Sequence, residues 1–239
     1  MKNINDEIII RTERTYLRRL KQSDFNDLCK MLKDKDVMYA YEHAFSDEEA
    51  HGWLDRQLKR YDDNGFGLWA VILRESGELI GQCGITMQDA GGKQVMEVGY
   101  LLCKEYWHRG YAAEAAAACR DYAFNVLGAE EVYSIIRDNN IPSQNVAKRM
   151  GMEVCGEFVK HYYDMDMPHL IYRISKTGKI NELLSELYRQ GLSQVRKPKL
   201  SAYKRNGLQG RKIWFLQGHM RIYYFWLARS TVRTLRNGK

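Results

Sequence analysis

The residues best suited to chemistry lie between Glu97 and Ala115, in the segment EVGYLLCKEYWHRGYAAEA. In its first part, β-branched, aromatic and apolar residues recur at every second position, and this pattern predicts a strand. A short connection containing Gly110 follows, and the Ala-rich run from Ala112 predicts a helix. The unpaired N–H groups at the start of such a helix, together with its dipole, attract anions. Small side chains at Gly110, Ala112 and Ala113 would let a phosphate group approach the backbone closely.

His108 and Arg109 stand at the rim of this predicted anion cradle, where they would add charge or hydrogen-bond donors. Taken alone, one glycine before an Ala-rich helix is equally well explained by plain packing. The segment lacks the GK[ST] ending of a nucleoside triphosphate loop, and it has one glycine where a dinucleotide fingerprint needs three. The local pattern therefore predicts an anion site of neither nucleotide-binding type.

The composition is that of an ordinary globular protein, with 45% hydrophobic and 28% charged residues among 239. Because no apolar run reaches about 18 residues, the sequence predicts no spanning helix. The beginning, MKNINDEIII, has too short an apolar run for a signal peptide, so we expect a cytoplasmic protein. The five cysteines form no CxxC pair and have no matching histidine pattern, which predicts reduced thiols and no metal site.

The positive charge is concentrated at one end of the chain. Residues 179–239 contain 14 Lys or Arg against two acids, a net charge of +12, whereas residues 1–178 carry a net charge of −5. This change predicts a folded domain over 1–178 and a basic, aromatic-rich C-terminal extension over 179–239.

The periodic patterns of residues 1–178 predict an α+β protein with the element order β-α-α-β-β-β-α-β-α-β-β. Glu7–Leu20 is expected to form a strand pair or one bent strand. A capping box at Ser46 and Glu49 predicts the start of a helix. The turn at Glu75–Glu78 joins an evident hairpin, and a loop over Asp164–Pro168 is expected between the last two strands. We expect a central, mostly antiparallel sheet flanked by helices.

Three segments in this order resemble GNAT-family N-acetyltransferases of the RimJ/RimL-type branch, and they imply the GNAT fold. They are GLWAVILRESGELIGQCGIT, EVGYLLCKEYWHRGYAAEA and NNIPSQNVAKRMGM. In the last segment, Asn140, Ser143, Lys148 and Gly151 match the family's pattern. WHRGYAAEA looks like the family's acyl-CoA pyrophosphate loop, with Trp107 where Gln or Arg is usual. The resemblance covers nearly all of the predicted domain.

The resemblance implies an enzyme that transfers an acetyl group from acetyl-CoA to an amine by direct attack in a ternary complex, without a metal. The pantetheine arm would pair with a bulged central strand, and Asn140 and Asn145 would reach the pantetheine or the amine. Asn140 is equally well explained as a turn residue or a helix cap. The residues of the strand and of the pyrophosphate loop implied to bind the cofactor are Tyr100, Leu101, Leu102, Trp107, His108, Arg109, Gly110, Tyr111, Ala112 and Ala113.

The resemblance also suggests an acid and a base, although less specifically. Glu97 is the first candidate for the base that takes the amine proton; its alternative is an ordinary solvated strand residue. Many relatives place a tyrosine acid where this chain has Ala147. Ser143 is a candidate substitute, and otherwise it is only a helix cap. Tyr162 and Tyr163 are weaker alternatives.

The acceptor stays open between a protein N-terminus and a small amine, and the oligomeric state between a monomer and a homodimer. In this fold, residues 34–45 and 161–168 would wall the acceptor site, and their acidic and aromatic residues weakly favour a cationic acceptor.

The C-terminal extension lies beyond the resemblance and has three interpretations. Its aromatic and basic residues suit nucleic acid or ribosome binding, or an anionic membrane surface. It is also explained as an appendage without a selected function. Two rival functions follow for the whole chain: an acyl-CoA-binding module without catalysis, and a nucleic-acid-binding protein that acts through its basic extension.

Overall fold

A computed structural model describes residues 8–162, 164–178 and 180 of the chain. The predicted extension, 179–239, therefore lies outside the described residues except for Ile180. The helices are α1 (Phe25–Leu32), α2 (Asp47–Asn64), α3 (Tyr111–Asn125) and α4 (Ile141–Arg149). The strands are β1 (Ile8–Arg11), β2 (Thr15–Arg18), β3 (Leu68–Leu73), β4 (Leu79–Asp89), β5 (Gln94–Leu102), β6 (Glu131–Arg137), β7 (Glu153–Tyr162) and β8 (Met165–Ser175).

The eight strands form one sheet in the order β1-β2-β3-β4-β5-β6-β8-β7. Every neighbouring pair is antiparallel except β5 and β6, which run parallel. The predicted α+β class, the mostly antiparallel sheet and the order of its elements are confirmed. The first predicted strand region is a pair, β1 and β2, rather than one bent strand.

Helices cover both faces of the sheet, as two successive residues of β4 show. Side chains of adjacent strand residues point to opposite faces. Gln82 accepts a hydrogen bond from the indole of Trp53 in α2, at 3.1 Å. The sulfur of Cys83 lies 3.5 Å from that of Cys119 in α3. Helix α2 therefore packs on one face and α3 on the other.

Local sequence signals fix several helix ends. The Ser46 hydroxyl accepts from the N–H of Glu49, and the Glu49 carboxylate accepts from the N–H of Ser46, so the predicted capping box is confirmed. Helix α2 ends at Gly65, whose φ of 77° is left-handed and favours glycine.

The predicted loop over Asp164–Pro168 is wrong. Strands β7 and β8 form a tight hairpin in which Tyr162 is paired with Met165. Proline is rare inside sheets because it lacks an N–H donor. Pro168 is tolerated because it lies just beyond the last β6–β8 pair, where its carbonyl accepts from the N–H of Asp138 at 3.0 Å.

The predicted bulge in the central strand is also wrong. Strand β5 pairs with β4 without a register shift, from Gly81 opposite Leu102 to Asp89 opposite Gln94. All the backbone groups that β5 turns towards β4 thus have partners. The sheet opens on the other side of β5, towards β6.

The five cysteines are free thiols, as the scattered spacing predicts. Within the described residues, no helix is long and apolar enough to cross a membrane. The same residues contain no cluster of three or more His, Cys, Asp or Glu that could hold a metal ion.

Two glycines that face each other across β4 and β5 predict very different costs for an added methyl group. A Cβ at Gly84 would overlap the carbonyl of Gly67 and lie 2.7 Å from the Cα of Leu68. We expect Gly84→Ala to destabilise the protein by about 3 kcal/mol, because backbone atoms must move. Gly99→Ala is the matched control, since its nearest neighbour, a Leu68 methyl, lies 3.6 Å away. Urea unfolding of both variants measures the difference; equal midpoints would contradict the prediction.

Candidate active site

The sheet opens between the parallel strands β5 and β6. In the described part of the chain, these two strands are paired at one position only, where Glu97 of β5 lies opposite Tyr133 of β6. Beyond it, the Ser134 hydroxyl donates to the carbonyl of Val98 at 2.9 Å, and the strands then separate. The opening, here called the strand gap, lies at the carboxyl ends of β5 and β6.

The backbone of β5 lines one side of the strand gap. Alternate residues of a strand direct their N–H and C=O groups to the same side. Since the carbonyls of Val98 and Leu102 accept bonds from the side away from β4, Tyr100 also faces the gap. Leu101 directs its backbone towards β4 instead. Of the three strand residues implied to pair with pantetheine, Tyr100 and Leu102 therefore face the gap and Leu101 does not.

Trp107 anchors the loop that follows β5. Its indole N–H donates to the carbonyl of Leu102 at 3.0 Å, and its backbone N–H donates to the carbonyl of Lys104 at 3.1 Å. The Trp107 N–H is therefore already used within the loop. Next, His108 and Gly110 adopt left-handed conformations, with φ of 58° and 82°.

Six consecutive backbone N–H groups remain at the end of this loop and the start of α3. Among the described residues, none of the N–H groups from His108 to Ala113 has a hydrogen-bond acceptor. The first bond of the helix runs from the N–H of Glu114 to the carbonyl of Gly110, at 3.0 Å. Clustered donors of this kind, added to the positive end of the α3 dipole, suit an anion. His108 and Arg109 are exposed at the rim.

Sequence reasoning missed Arg14, which lies beside this loop. Its guanidinium donates to the carbonyl of Arg109 at 2.9 Å and forms an ion pair with Glu114 at 2.7 Å. Arg14 precedes β2 and is separated from Glu114 by 100 positions, so no local pattern could have indicated the contact.

Glu97 lies at the point where β5 and β6 separate. Its carboxylate accepts from the N–H of Ile135 at 3.0 Å. Burial raises the pKa of Glu97 above its ordinary value, although the N–H of Ile135 and the charges of Lys160 and Arg60 act in the opposite direction. A half-buried carboxylate with a raised pKa at a strand gap is typical of a general base.

Ser143 lies at the start of α4, near the other side of the gap. The Tyr100 hydroxyl donates to the backbone carbonyl of Ser143 at 2.8 Å and so connects β5 to α4. The Ser143 hydroxyl also lies within hydrogen-bonding reach of the Tyr100 hydroxyl. Asn140 is the N-cap of α4, because its Oδ1 accepts from the N–H of Ser143 at 3.1 Å. The same oxygen accepts from Tyr39 at 2.6 Å, which leaves the amide Nδ2 of Asn140 as a donor.

The side chains of two further residues of α4 make no hydrogen bond with a described residue. Asn145 is exposed, and its side chain makes no hydrogen bond with a described residue. Ala147, which occupies the family's usual tyrosine position, is buried, so the site has no phenol at that point.

Residues 34–45 connect α1 and α2 near the strand gap, and their charges are paired. Glu42 forms an ion pair with Arg137 at the end of β6. Asp36 forms one with Lys104 beside the loop. The aromatic ring of Tyr41 packs edge-on against Trp53 and Phe45. The segment is aromatic, and the two ion pairs offset part of its acidic charge, which weakens the case for a cationic acceptor.

The site therefore combines an anion cradle, an open strand edge, a carboxylate with a raised pKa and a serine hydroxyl at the start of α4. Residues 14–153 match the family model of the acetyltransferase (GNAT) domain, and the chain belongs to this family. Its members transfer an acetyl group from acetyl-CoA to an amine. At that level the predicted N-acetyltransferase activity and GNAT fold are confirmed.

Individual relatives agree with this assignment. The chain is 32% identical to YnaD, an uncharacterized N-acetyltransferase of Bacillus subtilis (strain 168), over 152 residues, or 63% of this chain and 86% of YnaD. A crystal structure of an acetyltransferase from Agrobacterium tumefaciens str. C58 is 30% identical, with a TM-score of 0.60 over 70% of this chain and 94% of that one. RimL, a ribosomal L7/L12 alpha-N-protein acetyltransferase solved with coenzyme A, has a TM-score of 0.60 at 17% identity, covering 71% and 98%, which shows the shared fold.

A glutamate at Gly110 should block the anion cradle. Gly110→Glu places a carboxylate among the unpartnered N–H groups, and we expect it to weaken acetyl-CoA binding by roughly 100-fold or more, about 2.7 kcal/mol. Calorimetric titration of the full chain measures the effect. Gly128→Glu is the matched control, because Gly128 has a similar φ of 72° and no atom within 4 Å of an added Cβ. Equal affinities in both variants, with the fold intact by circular dichroism, would contradict the assignment.

Proposed function

We propose that this protein, as a member of the RimJ/RimL-type branch, transfers the acetyl group of acetyl-CoA directly to an amine held in the same complex. The amine is a protein N-terminus or a small amine. The observation that supports this best is the strand gap beside six unpartnered N–H groups, because a pantetheine arm and a pyrophosphate need those two features side by side.

Two features of the described residues suit such a co-substrate. The backbone of Tyr100 faces the strand gap and can pair with an extended amide chain as a further strand would. The N–H groups from His108 to Ala113 would hold the pyrophosphate, with Arg109 at the rim. The thioester supplies the acetyl group and a good leaving group.

Glu97 is proposed as the base. The attacking amine must be neutral, so an ammonium acceptor must lose a proton, and a carboxylate with a raised pKa accepts it better than an ordinary glutamate. The N–H of Ile135 holds one carboxylate oxygen, which orients the other. The proton passes to Glu97 directly or through water.

Ser143 is proposed as the group that donates to the departing thiolate. Its hydroxyl lies beside the Tyr100 hydroxyl, and its backbone is held from two directions: Asn140 accepts from its N–H and Tyr100 donates to its carbonyl. These contacts fix the start of α4 relative to β5. The cap that Asn140 provides is compatible with its Nδ2 also reaching the co-substrate.

The acceptor site is proposed between residues 34–45 and the β7–β8 hairpin. RimL, which acts on a protein N-terminus, shares the fold and supports a peptide acceptor as one candidate. The edge-to-face cluster of Tyr41, Phe45 and Trp53 would give such a site an aromatic wall. The proposed nucleic-acid or membrane role of 179–239 lies outside the described residues.

The proposal is tested by steady-state kinetics on the full chain. Release of coenzyme A is followed with a thiol reagent over a panel of polyamines, aminoglycosides and short peptides with free N-termini. For any accepted amine, varying both substrates should give intersecting double-reciprocal lines, because both must be bound before the acetyl group moves. Parallel lines would indicate a covalent acyl-enzyme and overturn direct attack. Tight acetyl-CoA binding with no turnover on the panel would favour the binding-module alternative.

The raised pKa of Glu97 predicts a specific pH profile. Only the ionised carboxylate accepts a proton, so kcat/KM should fall as the pH drops through a pKa above the ordinary value of about 4.3. Glu97→Gln should lower kcat/KM by roughly 100-fold and remove this acidic limb. The exposed Glu153 on β7 provides the control, Glu153→Gln, which should leave the profile intact. An acidic limb that persists in Glu97→Gln would assign the base to another residue.

A further inference from the structure

The turn between β1 and β2 is held rigidly against β3. The Arg74 guanidinium donates to the carbonyls of Thr12 and Glu13, at 3.1 and 2.7 Å, and the N–H of Arg74 donates to the carbonyl of Arg14 at 3.0 Å. The Thr12 hydroxyl accepts from the N–H of Thr15 at 3.0 Å. Arg14 therefore projects from a fixed backbone.

From this turn, Arg14 contacts both the cofactor loop and the first turn of α3. Its backbone N–H and its Nε donate to the two oxygens of Glu114, at 2.8 and 2.7 Å. Its Nη1 donates to the carbonyl of Arg109 at 2.9 Å. The guanidinium also stacks on Tyr111, 4.4 Å from the ring centre.

One end of the guanidinium remains available. Arg14 Nη2 has no acceptor among the described residues, and it lies 3.3 Å from the position that a Cβ of Gly110 would occupy. It thus stands next to the unpartnered N–H groups. The Arg14 side chain is 42% exposed and that of Glu114 is 17% exposed, so the pair borders solvent.

Glu114 on its own would disfavour an anion at this place. Burial acts to raise its pKa, but hydrogen bonds from Thr12 and Arg14 outweigh burial, and the pKa of Glu114 lies below its ordinary value. Glu114 is therefore ionised at neutral pH. A carboxylate in the first turn of α3 puts a negative charge beside any bound phosphate, and Arg14 is the cation that offsets it.

We propose that Arg14 is a positioning residue for the co-substrate: it fixes the loop through Arg109 and α3 through Glu114, cancels the charge of Glu114, and presents Nη2 towards a phosphate oxygen at Gly110. This inference rests on the proposed use of the loop for the pyrophosphate. It assigns a role to a residue about 100 positions away from the loop, outside the segments that resemble the family's cofactor motif.

The proposal distinguishes the two members of the pair. In Arg14→Gln the loop loses its brace and Glu114 is left as an uncompensated charge. In Glu114→Gln the brace is weakened, but the positive charge stays. Arg14→Gln should therefore be the more damaging change, and adding Glu114→Gln to it should restore part of the binding, since the repulsive charge is then removed.

The experiment titrates acetyl-CoA into the full chain by calorimetry. Arg14→Gln should raise Kd by roughly tenfold or more, Arg14→Lys should raise it less, and the double variant should bind more tightly than Arg14→Gln. Arg11→Gln, which removes an exposed arginine from neighbouring β1, should leave Kd unchanged. Thermal unfolding of each variant checks that the fold is retained.

A second readout separates this role from a general loss of structure. With an accepted amine, kcat/KM for S-acetylpantetheine, which has no pyrophosphate, should be the same in wild type and Arg14→Gln. Equal losses for both acetyl donors, or a double variant no better than Arg14→Gln, would overturn the proposal. Failure of the wild type to bind acetyl-CoA would instead overturn the proposed function, so the two failures are distinguishable.

Discussion

The site depends on the requirement that backbone polar groups find partners. Strand β5 satisfies this requirement completely on the side of β4, where the register is unbroken. On the other side, within the described part of the chain, it is paired with β6 only at Glu97. At the two ends of the opening, the side chains of Ser134 and Trp107 donate hydrogen bonds to backbone carbonyls of β5. Among the described residues, the backbone of Tyr100 between them has no strand partner on this side, and this supports the proposed pairing with a strand-like pantetheine.

The same opening arranges the charges of the proposed reaction. The carboxyl ends of β5 and β6 point towards the start of the chain's next elements, α3 and α4, so both helix N-termini lie near the gap. Donors collect where we propose that the phosphates lie, whereas Glu97, the proposed base, lies at the last strand pair. Burial there raises the pKa of Glu97.

Local sequence signals predicted the parts of this arrangement that depend on neighbours along the chain. Each of these parts is determined by residues that are close in sequence: the capping box of Ser46 and Glu49, the helix end at Gly65, and the Gly110 loop before an Ala-rich helix. The same reasoning misplaced the β7–β8 turn, because Pro168 looks like a strand breaker until one sees that it lies beyond the end of β6. It also ascribed the sheet's opening to a bulge in β5, since sequence cannot show where a parallel partner diverges. Arg14 was missed for the same reason: its partners are adjacent only in the folded chain.

The contact between Arg14 and Glu114 has a consequence for folding and binding together. A loop whose geometry is fixed by a strand pair about 100 residues earlier cannot be completed by local structure formation. The cradle therefore depends on contacts between residues that are distant in sequence. Ligand binding there is then thermodynamically linked to the whole sheet rather than to one loop: free energy gained at the phosphates is also free energy that holds β1 and β2 in place.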